Sequence, residues 1–446
     1  MAPGGRFKGE CHNVALTIHG AGRSCTSAER EEMVAKRAKS SVAKRSPAGR
    51  YLKLVHSRIR AIRRDLPSLI EMGQAMARPM LAGGRFFVPR LTSFWHREFG
   101  GRAGGFMGIV RRRSLRPTRK TDVAYIALPD PARWDAAGDE ALAGLVRSRA
   151  QLFVNGRPEE LRGLGSAAVK RVAAFTGGAP ADQGLYALDD RRPLAGLRHF
   201  DQFVRGWMAA GECIGACTRG GKMPTVYMSV LLEGALIRNT SFIEHHNQSV
   251  SWHTPFFHRD FHVPALEPGY AARSFLDIAE AHLRTLQTQL PRLARAGRWM
   301  GEARAAGRRI WAVACGHSYP AILELPEDGS YPIEWGRSAP DLARALPEDL
   351  KAGDVALHLG YRPADVLAIE AVLKRGIRLI HTSPYGRPAA LEEHKDLVWL
   401  DLPWRPGDAC VDVPGYSVRI LPMSSTCHTM AYFAILSEMA ERMGWT

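Results

Sequence analysis

The chain repeats itself at a separation of more than two hundred residues, and this constrains its fold more tightly than any other feature. Aligned without gaps, residues 66–86 and 290–310 share Leu66/Leu290, Pro67/Pro291, Leu69/Leu293, Gly73/Gly297, Met76/Met300, Ala82/Ala306, Gly83/Gly307 and Arg85/Arg309. That is far more than chance supplies. Solenoid repeats run to about 20–50 residues, so a period this long means a duplicated domain.

The match continues downstream. Thr121-Asp122-Val123-Ala124 answers Gly353-Asp354-Val355-Ala356, and Gly156-Arg157-Pro158 answers Gly386-Arg387-Pro388. Gly211-Glu212 aligns with Gly407-Asp408, and Met223-Pro224 with Leu421-Pro422, each pair opening a helical segment. On this alignment the offset shrinks late, so the first copy is expected to carry about thirty extra residues, at 167–203. The expected domains are 48–246 and 266–446, joined by a His- and aromatic-rich linker at 247–265.

Each copy opens with a helical stretch, 51–82 and 271–306. Pro67 and Pro291 suit an early helical position, where a missing N–H costs little. Gly83 and Gly307 supply the stops. Short apolar runs follow, at 86–88, 310–314, 355–359 and 377–380, too short for helices and bounded by turn residues. The helical pattern at 363–375 separates the last two. Strands apolar throughout and alternating with helices imply a parallel sheet covered on both faces. Each copy therefore reads as an α/β three-layer domain.

No window of about twenty apolar residues exists, which excludes a spanning helix. Residues 1–47 are basic and poor in apolar groups and read as a disordered extension, with Met33 as a candidate initiator. Seven cysteines without a CxxC pair argue for a reducing compartment, and the expected location is cytoplasmic. Cys213 and Cys217, four apart, read as buried thiols in a strand-turn region. The net charge is +17, and residues 1–120 carry the whole excess. A solvated basic surface is the plain reading, and steering of an anionic small molecule is the functional one. No nucleic-acid motif accompanies the charge. His245, His246, His253, His258 and His262 have no metal-ligand spacing, and the aromatics among them suggest packing. No metal and no cofactor is expected.

Cys315-Gly316-His317-Ser318, directly after the first strand of the second copy, resembles the strand-to-helix loop of sugar isomerase (SIS) domains. It is most similar to the GHS form of phosphoheptose-isomerase-like members. The first copy reads Leu91-Thr92-Ser93 there, but Glu98-Phe99-Gly100-Gly101-Arg102-Ala103-Gly104-Gly105 resembles the family's Glu-x-x-x-Arg helix and its RAGG continuation. The segment 421–442, opening Leu421-Pro422-Met423-Ser424-Ser425-Thr426-Cys427-His428, resembles the last loop and helix of the fold. The resemblance spans about residues 50–446.

The resemblance implies two flavodoxin-like α/β/α SIS domains with parallel sheets, related by a pseudo-twofold axis. It also implies a sugar-phosphate ligand, with homo-oligomerisation or a regulated protein partner as further possibilities. Glu98 and His428 match the family's catalytic glutamate and histidine, so one composite aldose-ketose isomerase site is a candidate. Arg102, Gly316, His317, Ser318, Glu324, Ser424, Ser425 and Thr426 would line it, since loops at strand C-termini and helix N-termini suit a phosphate. Asp328 stands where the second copy would need an arginine, so one site is expected. The departure lies in the loop after the second strand, which is serine-rich in the family. Here the copies read Leu128-Pro129-Asp130-Pro131 and Leu359-Gly360-Tyr361-Arg362-Pro363, without a serine or threonine hydroxyl, so either the phosphate binds otherwise, through Arg362, or the ligand is not a phosphosugar. A non-catalytic sugar-phosphate sensor and a ligand-free structural module are the alternatives.

Overall fold

The protein is described by a computed structural model that covers residues 46–89, 98–110, 119–128, 136–164, 169–180, 183–189, 192–242, 244–245, 252–253, 255–314, 333–336, 342–392 and 394–445. The expectations for residues 1–45, including a disordered extension, lie outside the described residues.

Each expected opening helix is two helices. In the first half these are α1 (Pro47–Arg64) and α2 (Leu66–Leu81). Further helices of that half are α3 (Ala136–Arg147), α4 (Arg198–Arg219) and a short one at Ala235–Ser241. In the second half α5 (Tyr270–Thr288) and α6 (Leu290–Ala305) open the copy. They are followed by α7 (Val366–Lys374) and α8 (Ser424–Arg442). The breaks fall at Asp65 and Gln289, one residue ahead of the Leu-Pro pairs, with Pro67 and Pro291 inside the first turn of the next helix. Proline lacks the N–H an unbroken helix would need, so it starts a helix where it would interrupt one.

The first sheet holds β1 (Phe86–Phe87), β2 (Ile109–Val110), β3 (Val123–Ala127), β4 (Gln151–Asn155) and β5 (Val172–Phe175), parallel, in the order 2-1-3-4-5. The second holds β6 (Ile310–Ala314), β7 (Glu334–Trp335), β8 (Val355–Leu359), β9 (Arg378–Ser383) and β10 (Leu397–Asp401), parallel, in the same relative order. This is the doubly wound, flavodoxin-like order, whose ligand crevice lies at the first-strand/third-strand switch point. Residues of β3 and β8 are buried on both faces, as strands between two helical layers must be. On one face of the second sheet, Ala356, Leu379 and Trp399 pack with Leu342, Ile369 and Leu373. On its other face lies α6, and the first sheet is covered correspondingly by α2 and α4.

The repeated residues have shared jobs. Asp122 accepts the backbone N–H groups of Arg85 and Arg119, and Asp354 accepts those of Arg309 and Lys351. Each aspartate thereby ties the start of the third strand to the end of the loop before the first. At Gly73 an added Cβ would lie 2.4 Å from the Glu212 Cβ, and at Gly297 2.3 Å from the Glu438 Cβ. These glycines let α2 touch α4, and α6 touch α8, backbone to backbone.

That last pair of contacts corrects the downstream alignment. Glu212 is the counterpart of Glu438, not of Asp408, and α4 is the counterpart of α8. Residues 167–203 are no insertion. They contain β5, a hairpin (Gly184–Asp189 with Arg192–Gly196) and the start of α4, matching β10, the hairpin Ala409–Val411 with Ile420–Pro422, and α8. Cys213 and Cys217 sit one turn apart on α4, buried and free, rather than in a strand-turn region.

The halves exchange contacts at their ends. Helix α4 packs on α5, the first helix of the other half, and α8 packs on α1. Glu212 accepts from the N–H groups of Gly269 (2.7 Å) and Ala272 (3.0 Å) at the start of α5. Glu438 accepts from Ala48 (2.9 Å) at the start of α1. Each half caps a helix of the other, where a carboxylate also meets the positive end of the helix dipole. Among the described residues, no helix is long and apolar enough to cross a membrane.

Candidate functional site

The segment that begins at Glu98 leaves the helical conformation after Phe99, and Gly101 (φ 84°) turns the chain so that Arg102 comes back onto Glu98. Both side chains are fully buried. Nη1 of Arg102 donates to Oε1 (2.9 Å) and Oε2 (2.7 Å) of Glu98 and also reaches the Ser425 hydroxyl. Its Nη2 donates to Asp408 Oδ2 (2.5 Å) and to the Ser424 hydroxyl (2.5 Å). Glu98 Oε1 further accepts from the Trp207 indole (3.0 Å), and Oε2 from Ser425 (3.1 Å). Three donor groups make four contacts to this carboxylate, two on each oxygen. Phe99 stacks on Trp207 at 4.5 Å and 2°, closing the apolar side of the cluster.

Asp408 ties this cluster to the second half. Its Oδ1 accepts from the backbone N–H groups of Met423 (2.9 Å) and Ser424 (2.7 Å) at the start of α8. The helix N-terminus that would suit a phosphate thus holds an internal carboxylate. One guanidinium and two carboxylates leave a net negative charge, which the α8 dipole offsets. Burial pushes the Glu98 pKa up, opposed chiefly by Arg102. Burial alone would lower that of Arg102, but Asp408 and Glu98 outweigh it and raise it.

His428 sits one turn into α8, also buried. Its Nε2 is 3.1 Å from the Gly360 carbonyl, which can only accept, so this nitrogen carries the proton. Burial lowers its pKa to about 3, so the ring is neutral across the physiological range. Trp404 meets it edge-on at 4.9 Å. Nearby, His358 and His381 share a contact between their Nδ1 atoms at 2.9 Å, and His381 stacks on Trp399. Burial lowers His358 to about 4 and also holds His381 well below its ordinary value.

The structure therefore brings Glu98, Arg102, Ser424 and Ser425 into one cluster, with His428 close enough to feel the charges of Asp408 and Arg102. Thr426 is buried, and its hydroxyl has no hydrogen-bond partner among the described residues. Gly316, His317, Ser318 and Glu324 lie outside the described residues, as does Asp328. Sequence reading missed Asp408 and Trp207. Neither has a local signal, but a buried arginine facing only one carboxylate would have pointed to a second.

The loops lacking hydroxyls are closed from the last helices. In the second half His428 holds the Gly360 carbonyl. In the first, Arg198 (3.0 Å) and Gln202 (2.8 Å) donate to the Leu128 carbonyl. Arg362 is exposed and has no hydrogen bond or ion pair among the described residues.

No family model matches the chain, and no curated protein matches it. Among solved structures it is similar to a provisionally named phosphosugar isomerase from Silicibacter pomeroyi, at 12% identity, 90% coverage of this chain, 99% of that one and a TM-score of 0.44. It is also similar to a provisionally named sugar binding protein from Salmonella typhimurium, at 10% identity, with 87% and 98% of the chains covered and a TM-score of 0.40. A provisionally named phosphosugar isomerase from Bacillus subtilis stands at 11% identity, 84% and 95% coverage and 0.39. The fold class rests on the strand order of the two sheets.

Proposed function

We propose that the chain is a non-catalytic SIS-type protein that binds an anionic carbohydrate derivative, a sugar phosphate, at the switch point of the second sheet. The turn after β8 carries Arg362 there, and in sequence His317 and Ser318 follow β6. The observation that carries the non-catalytic reading is the saturation of Glu98. A general base must present a free lone pair to the substrate, and both Glu98 oxygens are held by Arg102, Ser425 and Trp207. His428 keeps its Nε2 proton on the Gly360 carbonyl. The free charge of Arg362 suits an anionic ligand.

The reading is tested by titrating the full chain with aldose and ketose phosphates while assaying their interconversion. Binding without turnover is the expected result, with Ser318→Ala plus Arg362→Ala weakening it about tenfold or more, as loss of charge-assisted contacts requires. Turnover that vanishes in Glu98→Gln would instead establish an isomerase in which Arg102 releases Glu98 on substrate binding.

A further inference from the structure

One cavity is lined by residues of both halves. It has a volume of about 190 Å³ and opens between residues 227–232, which follow α4, and residues 406–419 of the second half. Tyr227 and Tyr416 line it, with Ser229, Gly407, Asp412 and Arg419. We infer that this cavity is a binding site for a monosaccharide-sized polyol carrying one anionic group, distinct from the site proposed above.

Size gives the first argument. Pockets for drug-sized ligands span about 300–1,000 Å³, so this one admits a single ring or short chain and little more. Its chemistry gives the second. Two tyrosine rings line it, and the exposed Asp412 carboxylate offers an acceptor for hydroxyls. Asp412 is shared by Arg405 (Nη1 to Oδ2, 3.0 Å) and Arg419 (Nε to Oδ1, 2.7 Å), so the mouth keeps one net positive charge. Arg419 commits only its Nε, and its terminal nitrogens have no protein partner among the described residues.

The third argument is built into the walls. Tyr416 is fixed by Arg238 (2.7 Å) and by His258 (3.1 Å), so one aromatic face is held before any ligand arrives. Gly104, of the RAGG stretch, donates to the Tyr227 carbonyl (2.8 Å) and accepts from the Leu421 N–H (3.0 Å), pinning the two walls together. A Cβ on Gly104 would lie 2.7 Å from both Ala409 Cβ and Leu421 N, and its φ of 79° favours glycine as well. The hairpin side is strained. Asp408 (φ 71°) and Leu421 (φ 64°) both adopt the left-handed conformation without being glycine. Such strain persists where the surroundings over-determine it, and it clusters at ligand clamps. Gly407 of the lining directly precedes Asp408 of the buried cluster.

The test is calorimetric titration of the full chain with glucose 6-phosphate, gluconate, glucose and inorganic phosphate, each separately. Glucose 6-phosphate and gluconate distinguish phosphate from carboxylate as the anionic group, and at least one of them is expected to bind. Glucose and inorganic phosphate alone should bind at least tenfold more weakly. Ser417→Trp, at an exposed lining position, should fill the cavity and abolish binding, and Arg419→Gln should weaken it about tenfold. Binding that survives both variants but is lost in Ser318→Ala would place the ligand at the switch point, overturning this inference and sparing the earlier reading. Absence of binding by all four probes also overturns it. Loss in Ser417→Trp with no effect of Ser318→Ala supports the cavity whatever becomes of the switch-point site.

Discussion

The two halves share one scaffold and fill its equivalent sites with different chemistry. Where α8 begins, Asp408 contributes both its backbone carbonyl and its carboxylate, binding the N–H of Met423 through each. Where α4 begins, Gln183 uses the equivalent carbonyl on Leu197, and its side-chain oxygen has no partner among the described residues. Four residues into the helix, His428 and Gln202 occupy the same position and donate to the same kind of carbonyl, after the third strand of their sheets. Buried charge is also placed differently. The second half's helix start is locked to Glu98–Arg102 from the first half. The first half's own network runs within it, from Arg205 to Asp201, to Asp65 and to the Thr176 carbonyl. A duplicated fold thus fixes where polar groups meet but not which ones meet there: of these two networks, among the described residues, the second half's crosses between the copies and the first half's does not.

The largest test of that difference removes each arginine. Arg102→Ala leaves Glu98 and Asp408 buried without a counter-ion, and breaking a buried pair in this way costs about 3–5 kcal/mol. Arg205→Ala should cost less, about 1–3 kcal/mol. Asp201 would keep Arg58 at 2.9 Å, and Asp65 is half exposed and can turn to water. Equal losses in chemical denaturation would mean that the cross-half cluster has no special role.

The symmetric counterpart comes next. Gly73→Ala and Gly297→Ala should each destabilise by about 1–3 kcal/mol through overpacking, because the new methyl meets backbone atoms at 2.7 Å in both halves. Here the halves should agree. A large effect at one site alone would break the equivalence of α4 with α8.

Acid should separate the halves again. His428, His358 and His381 are buried neutral, with folded-state pKa values below the ordinary 6.5. Above pH 6.5 neither folded nor unfolded ring is charged, so stability is flat in these groups. As pH falls from 6.5 toward 3–4 the unfolded chain takes protons that the folded chain refuses. Stability then drops by about 1.4 kcal/mol per pH unit for each histidine. Glu98, raised by burial, contributes with the opposite sign as it protonates in the fold. His428→Gln copies the first half. It should be nearly neutral at pH 7 and should remove one histidine's share of the slope between pH 6 and 4, measured by urea melts. An unchanged slope would show that this ring is not held neutral.

Legibility in the sequence followed physical constraint. The helices at 66–81 and 290–305 kept Gly73 and Gly297 because another backbone touches them, and Asp122 and Asp354 stayed because each satisfies two backbone donors. Both were visible as identities. Helices α4 and α8 share only Glu212 and Glu438 at equivalent positions, since each packs against a different set of side chains. One identity is too little to set the register, so Gly211-Glu212 aligns as well with Gly407-Asp408 in sequence, and that register implies a thirty-residue insertion where the structure has none. The Glu98–Arg102 spacing was legible, but its function was not. The partner that neutralises Arg102, Asp408, lies about three hundred residues away, and nothing local announces it.

The finest distinction lies in the exchanged caps. Both glutamates are buried and have raised pKa values, chiefly because burial disfavours the charged carboxylate. What each helix start requires is an acceptor, and glutamine keeps one while shedding the ionisation cost. Glu212→Gln and Glu438→Gln should therefore shift stability by less than about 1 kcal/mol. Alanine should tell the two caps apart. Glu212 holds two backbone N–H groups of α5, so Glu212→Ala should cost about 1–2 kcal/mol. Glu438 holds one backbone N–H of α1, and Ser46 also caps that helix by accepting from Gly49, so Glu438→Ala should cost about 0.5–1 kcal/mol. Hydrogen exchange at the first turns of α5 and α1 reads each cap directly. Faster exchange in α5 alone after Glu212→Ala, and in α1 alone after Glu438→Ala, is the result that an exchange of caps between halves requires. Local loosening of α4 or α8 instead would assign these carboxylates to the packing of their own helices.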